Sequence, residues 1–318
     1  MRIFITGIQG VLGSTLAKEL RYRGHEVFGC GRRHSADENI IRADVAERRQ
    51  LSHALTSIFM GSGQCTDLLF HFAGEFGRKN GQAYQEDLWR TNCLGTRNVI
   101  DECVLRGIPM VFASSSEAYG LSELYNGEAP LREDLLHHHP PQFHNEYALT
   151  KYTNERQIYT AVRNDGLKAT ILRFFNVYGP PEQYTPYRSV VCQFAYKMLN
   201  DMPLTITKNG RRSHLWIGDW VNTVANVVGV KLPGTPVFNI GGTENASVEH
   251  LYLKLLELMP GTKSEVTYQE FEPANSASKT PDNTLAEQFL GHKPQMPLED
   301  GLRKTIQYLW DVRRKELQ

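Results

Sequence analysis

Short hydrophobic runs alternate with amphipathic stretches through the first half of the chain. The runs are rich in β-branched and aromatic residues, and we predict strands near Ile3–Thr6, Glu26–Cys30, Leu68–Phe72, Met110–Ser114 and Ala169–Phe174. The stretches between them have helical spacing, which predicts helices over Val11–Arg23, Ala46–Met60, Tyr84–Arg106 and Asn145–Asn164. This alternation is typical of parallel βαβ units with right-handed crossovers. Because the runs are continuously apolar, we expect strands that are buried on both faces.

The second half of the chain has a looser pattern, which prolines and glycines interrupt from about residue 176 onwards. A strand near Pro236–Ile240 is predicted to return to the main sheet, and Leu298–Arg314 is predicted to form an amphipathic helix. We therefore predict an α/β protein with two parts. They are an N-terminal domain with a doubly wound parallel sheet, residues 1–175 with a return segment at about 213–242, and a smaller C-terminal lobe formed mainly by residues 176–318.

Composition and charge exclude several classes of protein. The chain has 318 residues, of which 41% are hydrophobic and 22% charged, as in ordinary globular proteins. Lys+Arg and Asp+Glu both number 35, so no basic excess favours a nucleic-acid partner. The five cysteines form no CxxC pair, no apolar run is long enough to span a bilayer, and the three histidines at 137–139 adjoin prolines in a predicted loop. We expect a soluble cytoplasmic protein with reduced thiols, no membrane partner and no metal.

A glycine-rich segment lies between the first predicted strand and the first predicted helix. In this segment Gly7 allows a tight turn, Gly10 lets backbone approach a pyrophosphate, and Gly13 permits close packing of helix and strand. The phosphates would then lie at the positive end of the helix. The pattern predicts a Rossmann domain that binds a nicotinamide dinucleotide, with cofactor contacts from Gly7, Gln9, Gly10, Val11, Leu12 and Gly13.

The end of the second strand bears on the choice of cofactor. Sites that prefer NAD usually carry Asp or Glu there, which accepts from the ribose 2′-hydroxyl. This chain has Arg32 and Arg33 instead, and two guanidinium groups suit a 2′-phosphate. We therefore expect NADP as the cofactor, with NAD as the alternative.

Candidate catalytic residues lie in two segments. Tyr147 and Lys151 have i, i+4 spacing in a predicted helix, which places both on one face. We expect the lysine ammonium to lower the tyrosine pKa towards neutrality, so that Tyr147 can act as a general acid/base. Ser115 and Glu117 follow the predicted strand Met110–Ser114. The serine hydroxyl could share a substrate proton with Tyr147, and Glu117 would be a second acid/base.

These motifs occur together in an order that resembles one known family. Beyond the glycine segment, Tyr147 and Lys151, the resemblance includes Asp44-Val45, His71 to Gly74, Asn92, Ser115 to Gly120 and Arg173 to Pro180. The chain is similar, over nearly its whole length, to the NAD-dependent epimerase/dehydratase family of extended short-chain dehydrogenases. The pair Arg32-Arg33 resembles GDP-mannose 4,6-dehydratase instead, and His292 stands where the family usually has Trp.

The resemblance assigns roles to individual residues. Ser115, Tyr147 and Lys151 would form the catalytic triad, with Glu117 as an additional acid/base as in dehydratases and decarboxylases. Cofactor contacts are expected from Asp44, Val45, Phe72, Ala73, Gly74, Asn92, Tyr147, Lys151 and Phe175. Substrate contacts are expected from Glu75, Ser116, Asn176, Arg188, Arg212 and Lys279, the last in place of a missing arginine.

The resemblance implies an enzyme that acts on a nucleotide-diphosphate sugar. An epimerase or dehydratase would oxidise C4 transiently, with Tyr147 as the base and Glu117 as the second acid/base. The alternatives are an NADPH-dependent 4-ketosugar reductase, which the two arginines favour, and a UDP-glucuronate decarboxylase-like enzyme. A non-catalytic dinucleotide-binding module is disfavoured because both Tyr147 and Lys151 are present. Helices 84–106 and 145–164 resemble those that pair in the family's dimer, so we expect a homodimer.

Overall fold

The computed structural model describes residues 1–63, 65–208, 210–230, 234–270, 276 and 278–316. The chain forms two compact units, and each is built from several segments. Unit 1 consists of Met1–Tyr119, Asn145–Arg173 and Val224–Phe238. Unit 2 consists of Gly120–His144, Phe174–Thr223 and Asn239–Gln318.

Strands and helices alternate in unit 1, and shorter strands occur in unit 2. The strands are β1 Arg2–Thr6, β2 Glu26–Gly31, β3 Ile40–Arg42, β4 Leu68–His71, β5 Met110–Ser115, β6 Ala169–Phe174, β7 Val177–Tyr178, β8 Leu204–Thr207, β9 Arg211–Ser213, β10 Leu215–Trp216, β11 Val237–Ile240, β12 Asn245–Ser247, β13 Val266–Gln269 and β14 Ser278–Lys279. The α-helices are α1 Val11–Tyr22, α2 Arg48–Ser62, α3 Arg78–Ala83, α4 Gln85–Trp89, α5 Gly95–Arg106, α6 Glu123–Asn126, α7 Leu135–His138, α8 Glu146–Asp165, α9 Val190–Leu199, α10 Ile217–Ala225, α11 Val248–Leu258, α12 Thr284–Leu290 and α13 Leu298–Glu316. A π-helical turn spans Arg90–Leu94, and a 3₁₀ turn spans Ser116–Tyr119.

The main sheet has seven strands in the order β11-β6-β5-β4-β1-β2-β3. The pairings β1–β2, β1–β4, β2–β3 and β4–β5 are parallel. The chain leaves β1 on one side and returns to the other side at β4, so the carboxyl ends of these two strands mark the switch point where such sheets bind ligands. The predicted α/β doubly wound fold is confirmed. The predicted strand near Pro236–Ile240 is also confirmed, since β11 joins the sheet beside β6.

Burial explains why the strands of the main sheet read as continuous apolar runs. Every residue of β1, β4 and β5 is buried. Unit 1 packs helix side chains against this sheet in a core that includes Phe4, Leu69, Val99, Phe112, Ile158 and Ile171. Unit 2 has its own core, which includes Val191, Phe194, Leu251, Leu255, Leu302 and Leu309.

The single helix predicted over residues 84–106 is instead three elements. α4 is followed by the π turn, and α5 begins at Gly95. Hydrophobic spacing does not distinguish a π turn inside a helix from an uninterrupted helix, because only one residue is inserted. The helix predicted over 145–164 is α8, which Asn145 caps by accepting from the Ala148 N–H at 2.8 Å. β3 was not predicted, since three residues give no recognisable pattern.

The sequence also bears on membrane-spanning helices and on metal sites. None of the helices in the described ranges has both the length and the apolar composition needed to cross a bilayer. Within the same ranges, no three His, Cys, Asp or Glu side chains gather as ligands for a metal ion. Part of the predicted return segment, residues 231–233, lies outside the described residues.

Candidate active site

The glycine segment forms a tight turn between β1 and α1. Gly7 has a φ of +71°, a conformation that favours glycine, and its N–H donates to the Cys30 carbonyl at 2.9 Å. A Cβ atom on Gly13 would overlap the Gly7 carbonyl, and one on Gly7 would overlap the backbone of Ala73. α1 begins after Gly10, which offers no side chain to cap the first N–H groups of the helix. Those N–H groups can therefore receive an anion.

A cleft of about 250 Å³ opens from this turn within unit 1. It is lined by residues from the ends of β1, β2 and β4 and from the segments that follow them, as expected at the switch point. Ten of the residues predicted to contact the cofactor are in this lining: Gly7, Gln9, Gly10, Arg32, Arg33, Asp44, Val45, Phe72, Ala73 and Gly74. The cleft also includes Cys30, Gly31, Ala43, Thr91 and Glu75, the last predicted for the substrate. A glycine cradle, a free helix terminus and two guanidinium groups fit a dinucleotide with its phosphates.

The other predicted cofactor residues lie outside this lining. Val11, Leu12 and Gly13 form the first turn of α1. Phe175 belongs to unit 2 and is fully buried. Asn92 supports the cleft from behind: its Oδ1 accepts from the Glu75 N–H at 2.8 Å, and its Nδ2 donates to the Glu75 carbonyl at 3.0 Å. The π turn contains Asn92, as π turns often contain functional residues.

A buried hydrogen-bond network, which the sequence did not predict, holds the backbone of Ala73 in the wall of the cleft. The Thr6 hydroxyl accepts from the Ala73 N–H at 3.2 Å and lies 2.7 Å from His71 Nδ1. His71 Nε2 lies 2.9 Å from the Thr96 hydroxyl. Burial lowers the pKa of His71 to about 3, and the charge of Lys151 acts in the same direction. The imidazole is therefore neutral near pH 7, and one of its ring nitrogens accepts a hydrogen bond from a threonine hydroxyl.

Four predicted catalytic residues come from three neighbouring elements of unit 1. Ser115 ends β5, and Glu117 follows it in the 3₁₀ turn. Tyr147 and Lys151 lie in α8, which packs against that turn and against β5. The Tyr147 and Ser115 side chains form a hydrogen bond. The structure thus brings together the hydroxyl pair that the sequence suggested.

The expected lowering of the Tyr147 pKa is wrong for this structure. The pKa of Tyr147 is raised to about 12, mainly by burial. The hydrogen bond with Ser115 lowers this pKa, and the charge of Glu117 raises it. Lys151 does not offset the burial: its Nζ donates to the Ala113 carbonyl at 2.8 Å and lies 5.8 Å from the centre of the Tyr147 ring. Burial also lowers the pKa of Lys151 to about 8, with Cys93 and Glu155 acting in the opposite direction.

A buried ion pair connects the three elements that carry the catalytic residues. Arg173 and Glu155 are both fully buried, and Nε and Nη2 of the arginine donate to the two carboxylate oxygens at 3.0 and 2.8 Å. Arg173 also donates to the Tyr119 hydroxyl at 2.9 Å, and the Ser114 hydroxyl donates to Glu155 at 2.5 Å. Ser114 precedes Ser115, and Glu155 lies one helical turn after Lys151. The position of Glu155 one helical turn after Lys151 is the sequence feature that could have identified it.

Three of the predicted substrate residues gather in unit 2. Arg212 and Lys279 are paired in register on β9 and β14. Asn176 has a φ of 39°, and its Nδ2 donates to the carbonyl of Ser213, next to Arg212. Arg212 also donates to the Ser276 carbonyl at 2.7 Å. Arg188 lies in the turn before α9, and Ser116 is buried in the 3₁₀ turn of unit 1.

Two curated relatives are similar to nearly the whole chain. One is the UDP-N-acetyl-alpha-D-glucosaminuronate decarboxylase of Bacillus cytotoxicus, 28% identical, with 98% of each chain covered. The other is UDP-glucuronic acid decarboxylase 1 of Xenopus tropicalis, also 28% identical, covering 100% of this chain and 73% of that protein.

A solved structure has a similar fold. MoeE5 in complex with UDP-glucuronic acid and NAD is 26% identical, with a TM-score of 0.82 and coverage of 99% of this chain and 100% of that chain. The family model described as the NAD dependent epimerase/dehydratase family matches residues 3–241. The glycine turn, the cleft and the Ser115, Tyr147 and Lys151 group all lie within that range. The chain therefore belongs to the NAD dependent epimerase/dehydratase family and is an NAD(P)-dependent enzyme.

Proposed function

We propose that the protein oxidises C4 of a UDP-sugar transiently, moves a proton on the resulting ketone, and then returns the hydride to the sugar. One observation carries this proposal: Ser115, Glu117, Tyr147 and Lys151 lie together on β5, the following 3₁₀ turn and α8, in the unit that also contains the dinucleotide cleft. A bound nicotinamide dinucleotide would supply the acceptor and donor of the hydride. With return of the hydride, no net oxidant is consumed.

Tyr147 takes the proton from the sugar C4 hydroxyl as the C4–H bond breaks. The hydrogen bond between Tyr147 and Ser115 lets the serine hydroxyl share that proton. Because the phenol pKa is about 12 in this structure, deprotonation needs a nearby positive charge. Lys151, on the same face of α8, is protonated below about pH 8 and would supply it by moving its ammonium from the Ala113 carbonyl towards the phenol oxygen.

Glu117 acts after the ketone has formed. A carbonyl group at C4 acidifies the hydrogens on C3 and C5, and a carboxylate that removes one of them is an ordinary general base. Return of a proton to the opposite face gives an epimer at that carbon once the hydride returns to C4. Loss of the C6 hydroxyl with return of the hydride to C6 gives a dehydrated, 6-deoxy sugar. Glu117 lies in the 3₁₀ turn two residues after Ser115, and its N–H donates to the Ser115 hydroxyl at 3.2 Å.

Decarboxylation is a second candidate, favoured by the two decarboxylases among the relatives and by the UDP-glucuronic acid bound to MoeE5. In a uronic acid, a C4 ketone is β to the C6 carboxylate. The C5–C6 bond then breaks with release of CO₂, and its electrons form an enolate. Glu117, when protonated, can deliver a proton to C5 before C4 is reduced.

We further propose NADP as the preferred cofactor. The end of β2 carries no acidic residue, and Arg32 and Arg33 both line the cleft. Arg32 is 61% exposed and pairs with Glu75 at 2.8 Å, so a 2′-phosphate could replace the carboxylate as its partner. NAD remains the alternative, since MoeE5 was solved with NAD.

We propose that unit 2 binds the nucleotide diphosphate through Asn176, Arg212 and Lys279. Two cations on adjacent strands match the two negative charges of a diphosphate. Lys279 would then fill the place of the arginine that the family usually has.

We also propose a homodimer that pairs α5 and α8 of two copies. Leu94, just before α5, and Leu105, within α5, have exposed side chains. On α8, Arg156 stacks over the rings of Tyr152 and Tyr159. A monomer at micromolar concentration in light scattering would contradict this proposal.

We also propose a cytoplasmic location, because all five cysteines are free thiols.

Mass spectrometry of products from a panel of nucleotide sugars tests the function. Purified enzyme is incubated with UDP-glucose, UDP-glucuronic acid and their GDP and dTDP counterparts, with NADP or NAD present, and separately with a UDP-4-ketosugar and NADPH. We expect turnover of a UDP-sugar with unchanged mass, with loss of water or with loss of CO₂. A gain of two hydrogens with consumption of NADPH would identify a ketosugar reductase, and no turnover of any UDP-sugar would contradict the proposal.

A further inference from the structure

One side chain, Gln9, holds the loop after β2 against the glycine turn. Its Nε2 donates to the carbonyl of Arg33 at 3.1 Å and to that of His34 at 3.3 Å, and its Oε1 accepts from the Arg33 N–H at 3.2 Å. In the reverse direction, the Arg33 guanidinium donates to the Gln9 carbonyl at 2.5 Å. Four hydrogen bonds thus join the turn that receives the phosphates to the loop that carries the two arginines.

Gln9 also covers Gly31, the last residue of β2. A Cβ atom at position 31 would overlap the Gln9 amide oxygen and would lie 3.1 Å from its Cδ. The backbone of Gly31 is not in the left-handed region, so any residue could adopt its conformation. The Gln9 side chain, and not the backbone, therefore excludes a side chain at position 31.

This crowding matters because the end of the second strand is where NAD-preferring sites carry their acidic residue. Residue 31 ends the strand and lines the cleft, together with Gln9, Arg32 and Arg33. An aspartate at position 31 cannot fit while Gln9 keeps its present position. The glutamine also orders the backbone of Arg33, so less freedom would be lost when the loop binds a phosphate.

We infer that Gln9 is a cofactor-specificity residue: it occupies the space of the acidic side chain beside Gly31 and presents the Arg32–Arg33 loop to the adenosine 2′-phosphate. This role rests on the NADP preference proposed above. Arg42 supports the same loop, since its Nε donates to the Arg32 carbonyl at 3.1 Å and its Nη1 lies 3.0 Å from His34 Nε2. The loop is thereby held at both ends.

Calorimetric titration of the purified protein with NADP and with NAD tests this role without measuring turnover. Gln9→Ala should weaken NADP binding by about tenfold and NAD binding by less than about threefold, as expected for loss of loop order and about one net hydrogen bond. Gly31→Asp alone should bind both dinucleotides poorly, because the carboxylate meets Gln9. The double variant should bind NAD about tenfold or more better than Gly31→Asp, which is a coupling between the two positions.

Gln50→Ala is the matched control. Gln50 Oε1 accepts from the Asp44 N–H at 3.0 Å, so this glutamine also supports the cleft backbone but does not contact the basic loop. Its loss should change both dissociation constants by the same factor. Thermal melting of each variant verifies that the titrated protein is folded.

Three results separate the role of Gln9 from the proposed cofactor preference. If the wild type prefers NADP and Gln9→Ala lowers both affinities equally, Gln9 has no role in specificity. The same conclusion follows if Gly31→Asp gives full NAD preference with Gln9 in place. If the wild type binds NAD more tightly than NADP, the proposed cofactor preference is itself wrong, and with it the role of Gln9.

Discussion

Unit 1 contains two charged regions that differ in their exposure to water. Behind the catalytic turn, Arg173 and Glu155 are both 0% exposed, and every contact of the pair given above is to another buried side chain. At the rim of the cleft, Arg32 is 61% exposed and pairs with Glu75, which is 20% exposed. The same chemical pair, an arginine and a carboxylate, is thus placed in two different environments.

The difference teaches what each pair can do. Two buried charges must stay paired, because an unpaired ion inside a protein is strongly destabilising, so Arg173 and Glu155 fix the positions of Ser114 and Tyr119. An exposed pair contributes little to stability and exchanges partners easily. The buried pair is suited to positioning catalytic groups, and the exposed pair to receiving a ligand.

The largest expected effect concerns Tyr147 and Glu117, which lie on elements that the buried pair connects. Tyr147→Phe removes the group that takes the C4 hydroxyl proton, so turnover should fall by about 10²–10⁴. No absorbance of reduced nicotinamide should appear when substrate is added. Glu117→Gln should lose a similar factor at the later step but keep the first one, so that reduced nicotinamide accumulates.

Stopped-flow absorbance on both variants makes this measurement. If Glu117→Gln lowers turnover by less than about tenfold and no reduced nicotinamide accumulates, Glu117 is not an acid/base in the reaction. If both variants lose the first step alike, the separation of roles between Tyr147 and Glu117 is wrong.

The second prediction concerns stability. Glu155→Gln leaves the Arg173 charge buried without its carboxylate, so the free energy of unfolding should fall by about 3–5 kcal/mol. Glu299→Gln, which removes the exposed pair of Glu299 with Arg303, is the control and should cost less than about 1 kcal/mol. Urea unfolding measures both. Equal losses in the two variants would contradict the distinction between buried and exposed pairs.

The third prediction concerns the exposed rim. Replacing Arg32 and Arg33 by Ala should weaken NADP binding more than NAD binding, by about 1–3 kcal/mol for each charge-assisted hydrogen bond lost. The difference should shrink at high salt, because exposed charges are screened. Calorimetry at low and high salt tests this, and equal losses for the two dinucleotides would show that the arginines do not bind the 2′-phosphate.

The smallest expected effect is the decrease in the free energy of unfolding between pH 7 and pH 5. His71 has a folded-state pKa of about 3, below the ordinary 6.5, because it is buried. Its contribution to stability is present above pH 6.5 and is lost as pH falls from 6.5 towards 3, by about 1.4 kcal/mol per pH unit. His71→Asn should lose less stability than the wild type between pH 7 and pH 5 in urea unfolding. Identical losses would show that His71 does not titrate as the structure indicates.

The sequence by itself determined the class of fold and much of the cleft. Continuously apolar runs predicted the strands of the main sheet, and the spacing of the glycines predicted the turn between β1 and α1. Both features depend on residues that are close together in the sequence. Family resemblance added Asp44, Val45 and the segment Phe72 to Gly74, which the structure places in the cleft lining. Whether these residues bind the cofactor stays a prediction.

Only the tertiary structure decided the environment of each group. The spacing of Tyr147 and Lys151 suggested a lowered phenol pKa, yet burial raises it and Lys151 contacts the Ala113 carbonyl. The cover that Gln9 places over Gly31 and the ion pair between Arg173 and Glu155 join residues that are 22 and 18 positions apart along the chain. Local spacing carries no information about which distant groups exclude water from a side chain, and pKa values and steric exclusion depend on that packing.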